Sequence, residues 1–132
     1  MPNARKILVV DDDADLRDAL MEQLSLHEEF VASAADTGAK GIASARADSP
    51  DLIIMDVEMP VLDGLEATRC IRRNEADRSL PRLPILALTA NVQREDINAC
   101  LDAGMDGYLS KPFDRDALDE AINRLMKRQV VA

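Results

Sequence analysis

The sequence predicts an α/β fold: a five-stranded parallel sheet in the order 2-1-3-4-5, with helices on both faces. Three observations carry this. Five short apolar runs alternate with helix-length amphipathic segments along the chain, the pattern of successive strand–helix units. Three of the runs are apolar throughout, as strands buried on both faces are. The length of 132 residues suits one domain with a sizeable single core. Right-handed crossovers leave few topologies for five such units, and the doubly wound order puts the first strand beside the third. Ligands bind at that switch point, beyond the carboxyl ends of the strands.

The first run is Lys6–Val10 (KILVV), closed by Asp11-Asp12-Asp13. The segment after it carries Leu16, Leu20 and Leu24 on one helical stripe. Asp13 is placed to start that helix, since acids favour helix N-termini. Phe30–Ala34 (FVASA) is the second strand. Thr37–Asp48 is the least regular segment, because two glycines dilute its pattern; Thr37 serves as its cap. Ser49-Pro50 marks the boundary before Leu52–Met55 (LIIM), which stops at Asp56. Asp63-Gly64 precedes the third helix. Pro84–Leu88 (PILAL) stops at Thr89. Ile97 and Leu101 share a face of the fourth helix, which Ala103-Gly104 ends. Gly107–Leu109 (GYL) stops at Ser110-Lys111-Pro112, and Leu118, Ile122 and Leu125 line the last helix.

Composition narrows the function. Apolar residues make up 47% and charged residues 31%, a globular balance. Phe30, Tyr108 and Phe113 are the only aromatics, so the core is aliphatic. No run is long enough to span a bilayer, and the N-terminus does not read as a signal peptide. The expected location is therefore the cytoplasm, with no membrane partner. Net charge is −9, and the acidic excess lies in residues 1–66, with 5 basic against 15 acidic side chains. Direct nucleic-acid binding is disfavoured, because phosphates need a basic surface. Cys70 and Cys100 form no CxxC pair and read as reduced packing residues.

The strand ends carry the chemistry. In the predicted order, Asp11 and Asp12, Asp56, Thr89 and Lys111 lie side by side. Packed carboxylates raise one another's pKa unless a cation joins them. Oxygen-only ligands suit Mg²⁺, which favours carboxylates together with phosphate oxygens. An aspartate can itself be the nucleophile and form an acyl phosphate. Lysine pairs with a phosphoryl oxygen, and threonine donates to another. The pocket has the parts needed to take a phosphoryl group onto Asp56.

The segments ILVVDDD (7–13), DLIIMDVEMPVLDG (51–64), ILALTAN (85–91) and AGMDGYLSKPF (103–113) resemble, in order and spacing, the receiver domains of two-component response regulators. The last two also resemble receivers attached to hybrid histidine kinases. The resemblance implies a flavodoxin-like (βα)5 fold over 1–132, with a core of about 5–128 and no output domain. It implies Asp56 as phosphoacceptor. It makes Asp12 the direct Mg²⁺ ligand and Asp11 one acting largely through water, with the backbone carbonyl of Glu58 as the remaining protein ligand. Thr89 is the implied switch hydroxyl, Tyr108 the switch aromatic and Lys111 the phosphate-pairing lysine, joined to Pro112 by a cis peptide bond. The implied phosphodonor is a histidine kinase or a histidine-phosphotransfer domain. A downstream protein would read the face of the fourth helix, fifth strand and fifth helix. Glu58 and Asn91 occupy positions that flank the attacking water in this family.

Other readings compete residue by residue. Asp13 is expected to cap the helix rather than bind metal. His27, beside Glu28 and Glu29, reads as a surface residue, and Arg69, Arg72, Arg73, Arg78 and Arg82 as a solvated face and loop. A Mg²⁺-dependent phosphohydrolase would carry a D-x-D nucleophile motif on the first strand, where this chain has contiguous aspartates. A flavin binder needs a hydroxyl- or glycine-rich anion loop there, and three carboxylates would repel the phosphate.

Overall fold

The computed structural model describes residues 4–130, with side chains to residue 126; residues 1–3 and 131–132 of the expected domain lie outside the described residues. Strands and helices alternate: β1 (Arg5–Val10), α1 (Ala14–Ser25), β2 (Phe30–Ala35), α2 (Gly38–Asp48), β3 (Leu52–Asp56), α3 (Gly64–Arg78), β4 (Ile85–Thr89), α4 (Arg94–Ala103), β5 (Gly107–Ser110) and α5 (Arg115–Val130). All strand pairings are parallel, and the sheet order is β2-β1-β3-β4-β5.

Strand alternation splits the core into two layers. Ile7, Val9, Leu52, Ile54, Leu86 and Leu88 pack under Leu20 and Leu24 of α1 and Leu118, Ile122 and Leu125 of α5. Leu8, Val10, Ile53, Met55, Ile85 and Ala87 face the other way, toward Ala67 and Ile71 of α3 and Cys100 of α4. Each buried Leu or Ile contributes about 1.5–3 kcal/mol of transfer free energy. β2 lies at an edge and is only half covered, so Val31 and Ser33 are exposed and alternate with the partly buried Phe30 and Ala32.

Side chains close the helix starts. Asp13 accepts from the amides of Asp15 (3.0 Å) and Leu16 (3.3 Å), so it caps α1. Thr37 Oγ1 accepts from Lys40 N at 3.1 Å. The glycines that dilute α2 have a packing reason: a Cβ on Gly41 would stand 2.8 Å from a Val10 methyl. The helix thus lies closer to β1 than an alanine would allow.

Three expectations need correction. In α4 the core face is Cys100 and Ala103, while Leu101 is 51% exposed. Arg72 is no solvated residue. Its guanidinium donates to the carbonyls of Gly104 (2.9 Å) and Leu83 (2.8 Å) and to the carboxylates of Glu75 (2.9 Å) and Asp106 (2.8 Å). Those two acids also accept the amides of Leu83 and Ile85, so the cluster ties α3 to the start of β4 and the approach to β5. Arg82 joins it through Asp106. His27 is half-buried rather than a free surface group, with its ring nitrogens 3.2 Å from Asp119 and 3.4 Å from Glu29.

Candidate functional site

The parallel register sets four strand ends level. Val10 pairs with Met55, Asp56 with Leu88, and Thr89 with Ser110. The residues at and just past those ends, Asp11, Asp56, Thr89 and Lys111, therefore converge on one edge. Asp11, Asp56 and Thr89 are buried (0%, 2% and 2% exposed), whereas Asp12 is exposed. Oxygens of Asp11, Asp12 and Asp56 lie within 4.8 Å of one another.

Lys111 Nζ stands 2.8 Å from Asp56 Oδ1 and 3.8 Å from Asp11 Oδ2. The Lys111–Pro112 peptide bond is cis. The Asp13 amide donates to Asp11 Oδ1 at 2.9 Å, and the Glu58 amide to Asp56 Oδ1 at 3.3 Å. Asp11 Oδ2 is buried without a hydrogen-bond partner. Gly64, the first residue of α3, packs on the phosphoacceptor candidate's own backbone: a Cβ there would meet the Asp56 carbonyl oxygen at 2.2 Å.

Electrostatics follow from this crowding. Burial raises the Asp56 carboxyl from 3.8 to about 7; the Lys111 hydrogen bond opposes the rise and the Asp11 charge adds to it. Burial likewise raises Asp11, against the Asp13 amide and Lys111. Burial alone would lower Lys111, but its contacts with Asp56 and Asp11 outweigh that and raise it. Two buried carboxylates thus share one ammonium, and the edge is short of positive charge.

Thr89 and Tyr108 are placed differently. Thr89 Oγ1 lies 3.1 Å from Glu58 Oε2 and 3.1 Å from the Asn91 carbonyl oxygen, and accepts from the Asn91 amide at 3.0 Å. Glu58 Oε1 accepts from the Ala90 amide at 3.1 Å. Tyr108 is 46% exposed on β5, with Leu101 of α4 also exposed; both border the same surface hollow. The Glu58 backbone carbonyl belongs to the loop after β3. The Ala90 amide had no sequence signal, because a backbone donor is invisible in residue type.

A doubly wound α/β sheet with an acidic, lysine-paired pocket at its switch point is the class that fold and site define. The chain belongs to the response regulator receiver domain family, whose pattern matches residues 7–123. It is a receiver domain of two-component signalling. It is 41% identical over 125 residues to hybrid signal transduction histidine kinase L of Dictyostelium discoideum, covering 92% of this chain and 7% of the kinase. Response regulator MprA of Mycobacterium ulcerans is 42% identical over 123 residues, covering 93% of this chain and 50% of MprA. The chain therefore spans half or less of these relatives. Among solved structures, the receiver domain of sensor histidine kinase PA1611 from Pseudomonas aeruginosa, described with a magnesium ion coordinated in the active site cleft, has a TM-score of 0.79. It is 37% identical, and the match covers 94% of this chain and 98% of that one. Chemotaxis protein CheY4 of Vibrio cholerae has a TM-score of 0.84 at 30% identity, covering 92% of this chain and 98% of CheY4.

Proposed function

We propose that Asp56 accepts a phosphoryl group from a phosphohistidine, in a reaction that requires Mg²⁺ and switches the conformation read by a partner. The observation that carries this is the buried Asp56 carboxylate, 2.8 Å from Lys111 Nζ and within 4.8 Å of two further aspartate oxygens. Mg²⁺ fits the residues present. The donor set is all oxygen, and the orphaned Asp11 Oδ2 is a buried acceptor with no hydrogen-bond donor. Asp11, Asp12, Asp56 and the carbonyl of Glu58 would hold it. When bound, Mg²⁺ supplies charge that keeps the carboxylates ionised and offsets charge developing on phosphoryl oxygens.

The residues do the rest. An Asp56 oxygen attacks phosphorus; the P–O bond forms as the P–N bond to imidazole breaks, leaving an acyl phosphate. Lys111 holds Asp56 in place and pairs with a phosphoryl oxygen. Thr89 donates to another. Decay by water attack beside Glu58 and Asn91 resets the domain, so no separate substrate is turned over. The relatives favour a histidine kinase or histidine-phosphotransfer domain as donor. A downstream protein would read the α4–β5–α5 face. No described helix is long and apolar enough to cross a membrane. The acidic charge balance disfavours a direct nucleic-acid partner.

Phosphoramidate tests the acceptor. Intact-mass analysis is expected to show one phosphoryl group, only with Mg²⁺, and none on Asp56→Asn. Full labelling of that variant would remove Asp56 as acceptor. The donor should dock on the exposed sides of α1, where Asp15 and Asp18 face solvent. Charge reversal there is expected to slow transfer from a phosphohistidine domain while leaving phosphoramidate labelling near that of the parent. Equal loss with both donors would place docking elsewhere.

A further inference from the structure

Glu58 enters the proposed metal site through its backbone, and its side chain is engaged with Thr89 and Ala90. One carboxylate oxygen lies 3.1 Å from Thr89 Oγ1 and the other accepts from the Ala90 amide at 3.1 Å. The hydroxyl has a single proton. A carboxylate outcompetes the neutral Asn91 carbonyl for it, because charge-assisted hydrogen bonds are about twice as strong. An anion made of this chain's own atoms thus occupies two adjacent donors that sit beside Asp56.

We propose that the Glu58 carboxylate is a positioning residue that acts through Thr89: it holds the Thr89 hydroxyl and the Ala90 amide in an outward arrangement and competes with the phosphoryl group for both. This rests on Asp56 being the phosphoacceptor. A phosphoryl group carries about −1.5 to −2 charge and three acceptor oxygens. Once on Asp56, it repels Glu58 and offers Thr89 and Ala90 stronger acceptors. Glu58 is exposed, so its side chain can turn into solvent without leaving a buried charge. The exchange swaps one pair of anion–donor bonds for another. Glu58 thereby lowers the population that is switched before phosphorylation and lowers the affinity of the pocket for a phosphoryl group.

The test is a double-mutant cycle read by beryllofluoride binding in Mg²⁺, with amide chemical shifts as the second measurement. Glu58→Ala is expected to bind beryllofluoride on the order of tenfold more tightly than the parent, about the equivalent of one charge-assisted hydrogen bond. Glu58→Gln keeps one acceptor and loses the charge, and should fall between. Without beryllofluoride, the amides of Thr89, Ala90 and Asn91 in Glu58→Ala should already lie part of the way toward the liganded positions. Removing a negative charge would favour an anion whatever Glu58 touches, so the cycle decides. In a Thr89→Ala background the effect of Glu58→Ala should shrink, to what the Ala90 amide and simple charge repulsion leave, since non-additivity marks residues that act together. The same fold-change in both backgrounds, or unmoved free-state amides, would overturn the role of Glu58 while leaving the phosphoacceptor intact. A parent that binds no beryllofluoride in Mg²⁺ would overturn both.

Discussion

The Asp56 carboxyl is a buried titratable group, 2% exposed. Burial, opposed by Lys111 and reinforced by Asp11, raises it from 3.8 to about 7 in the metal-free protein. A raised folded-state value means that the native protein binds this proton more tightly than the unfolded chain. The stability it contributes is fully present below about pH 4 and is lost as pH rises through about 7. Lys111, also raised, stays charged across that window. Asp56→Asn removes the titration. In chelator, the variant is expected to be more stable than the parent by roughly 1–3 kcal/mol at pH 8, with the gap closing toward pH 4. Urea unfolding across that range checks it. A gap that widens as pH falls would have the wrong sign and would mean that Asp56 is ionised in the folded state throughout.

At the scale of elements, the ion cluster around Arg72 decides how α3 meets β4 and the turn before β5. Arg72, Glu75 and Asp106 side chains are only 14%, 12% and 16% exposed. Removing one partner strands the others with little solvent, which costs about 3–5 kcal/mol for a fully buried pair. Arg72→Ala is therefore expected to lose about 2–4 kcal/mol in urea, with an unchanged denaturant slope. Arg72→Lys should recover little of it, because an ammonium cannot reach two carbonyls and two carboxylates at once. The cluster binds the amino-terminal end of β4, at Ile85, and Asp56 lies at the opposite edge. Phosphoramidate labelling of the folded fraction should thus match the parent. Loss of labelling in step with stability would instead tie the cluster to the site.

Across the whole molecule, the proposed switch needs a two-state element that joins the site to the proposed α4–β5–α5 face. Thr89 ends β4, and Tyr108 stands exposed on the neighbouring β5. We propose that turning the Thr89 hydroxyl toward a phosphoryl oxygen would vacate space beside it for the Tyr108 ring. A full swing from 1:99 to 99:1 needs about 5.5 kcal/mol of differential affinity, and charge-assisted hydrogen bonds supply about 1.5–3 kcal/mol each. Thr89→Ala forfeits one such bond. It is expected to take phosphate on Asp56 but to switch with a constant roughly 10–100-fold smaller. Amide shifts of Tyr108 and residues 91–104, with and without beryllofluoride, measure this. An identical response in variant and parent would remove Thr89 as the coupling element.

The amino-acid sequence by itself determined the strands, their order and the group of residues at their carboxyl ends. The strands and their polar ends are written locally, and the order follows from the handedness of the crossovers that join them. A strand buried on both faces must be apolar throughout, as LIIM and ILAL are, and the chain must turn polar where it leaves the sheet, as at Asp11, Asp56 and Thr89. Helix starts were legible for the same reason: Asp13 and Thr37 cap amides only two or three residues away. Tertiary structure alone decided what depends on distant neighbours. Leu101 has the spacing of a core residue, but the crossing of α4 over the sheet turns Cys100 and Ala103 inward instead. Arg72 sits in an arginine-rich helix that reads as solvated, and only the fold brings Gly104 and Asp106, more than thirty residues on, to its guanidinium. Glu58 is an acid in an exposed loop until β4 is laid beside β3, which sets the Thr89 hydroxyl and the Ala90 amide against its carboxylate. Backbone periodicity encodes which way a residue faces within its own element; which partner it meets there is fixed by how separate elements pack.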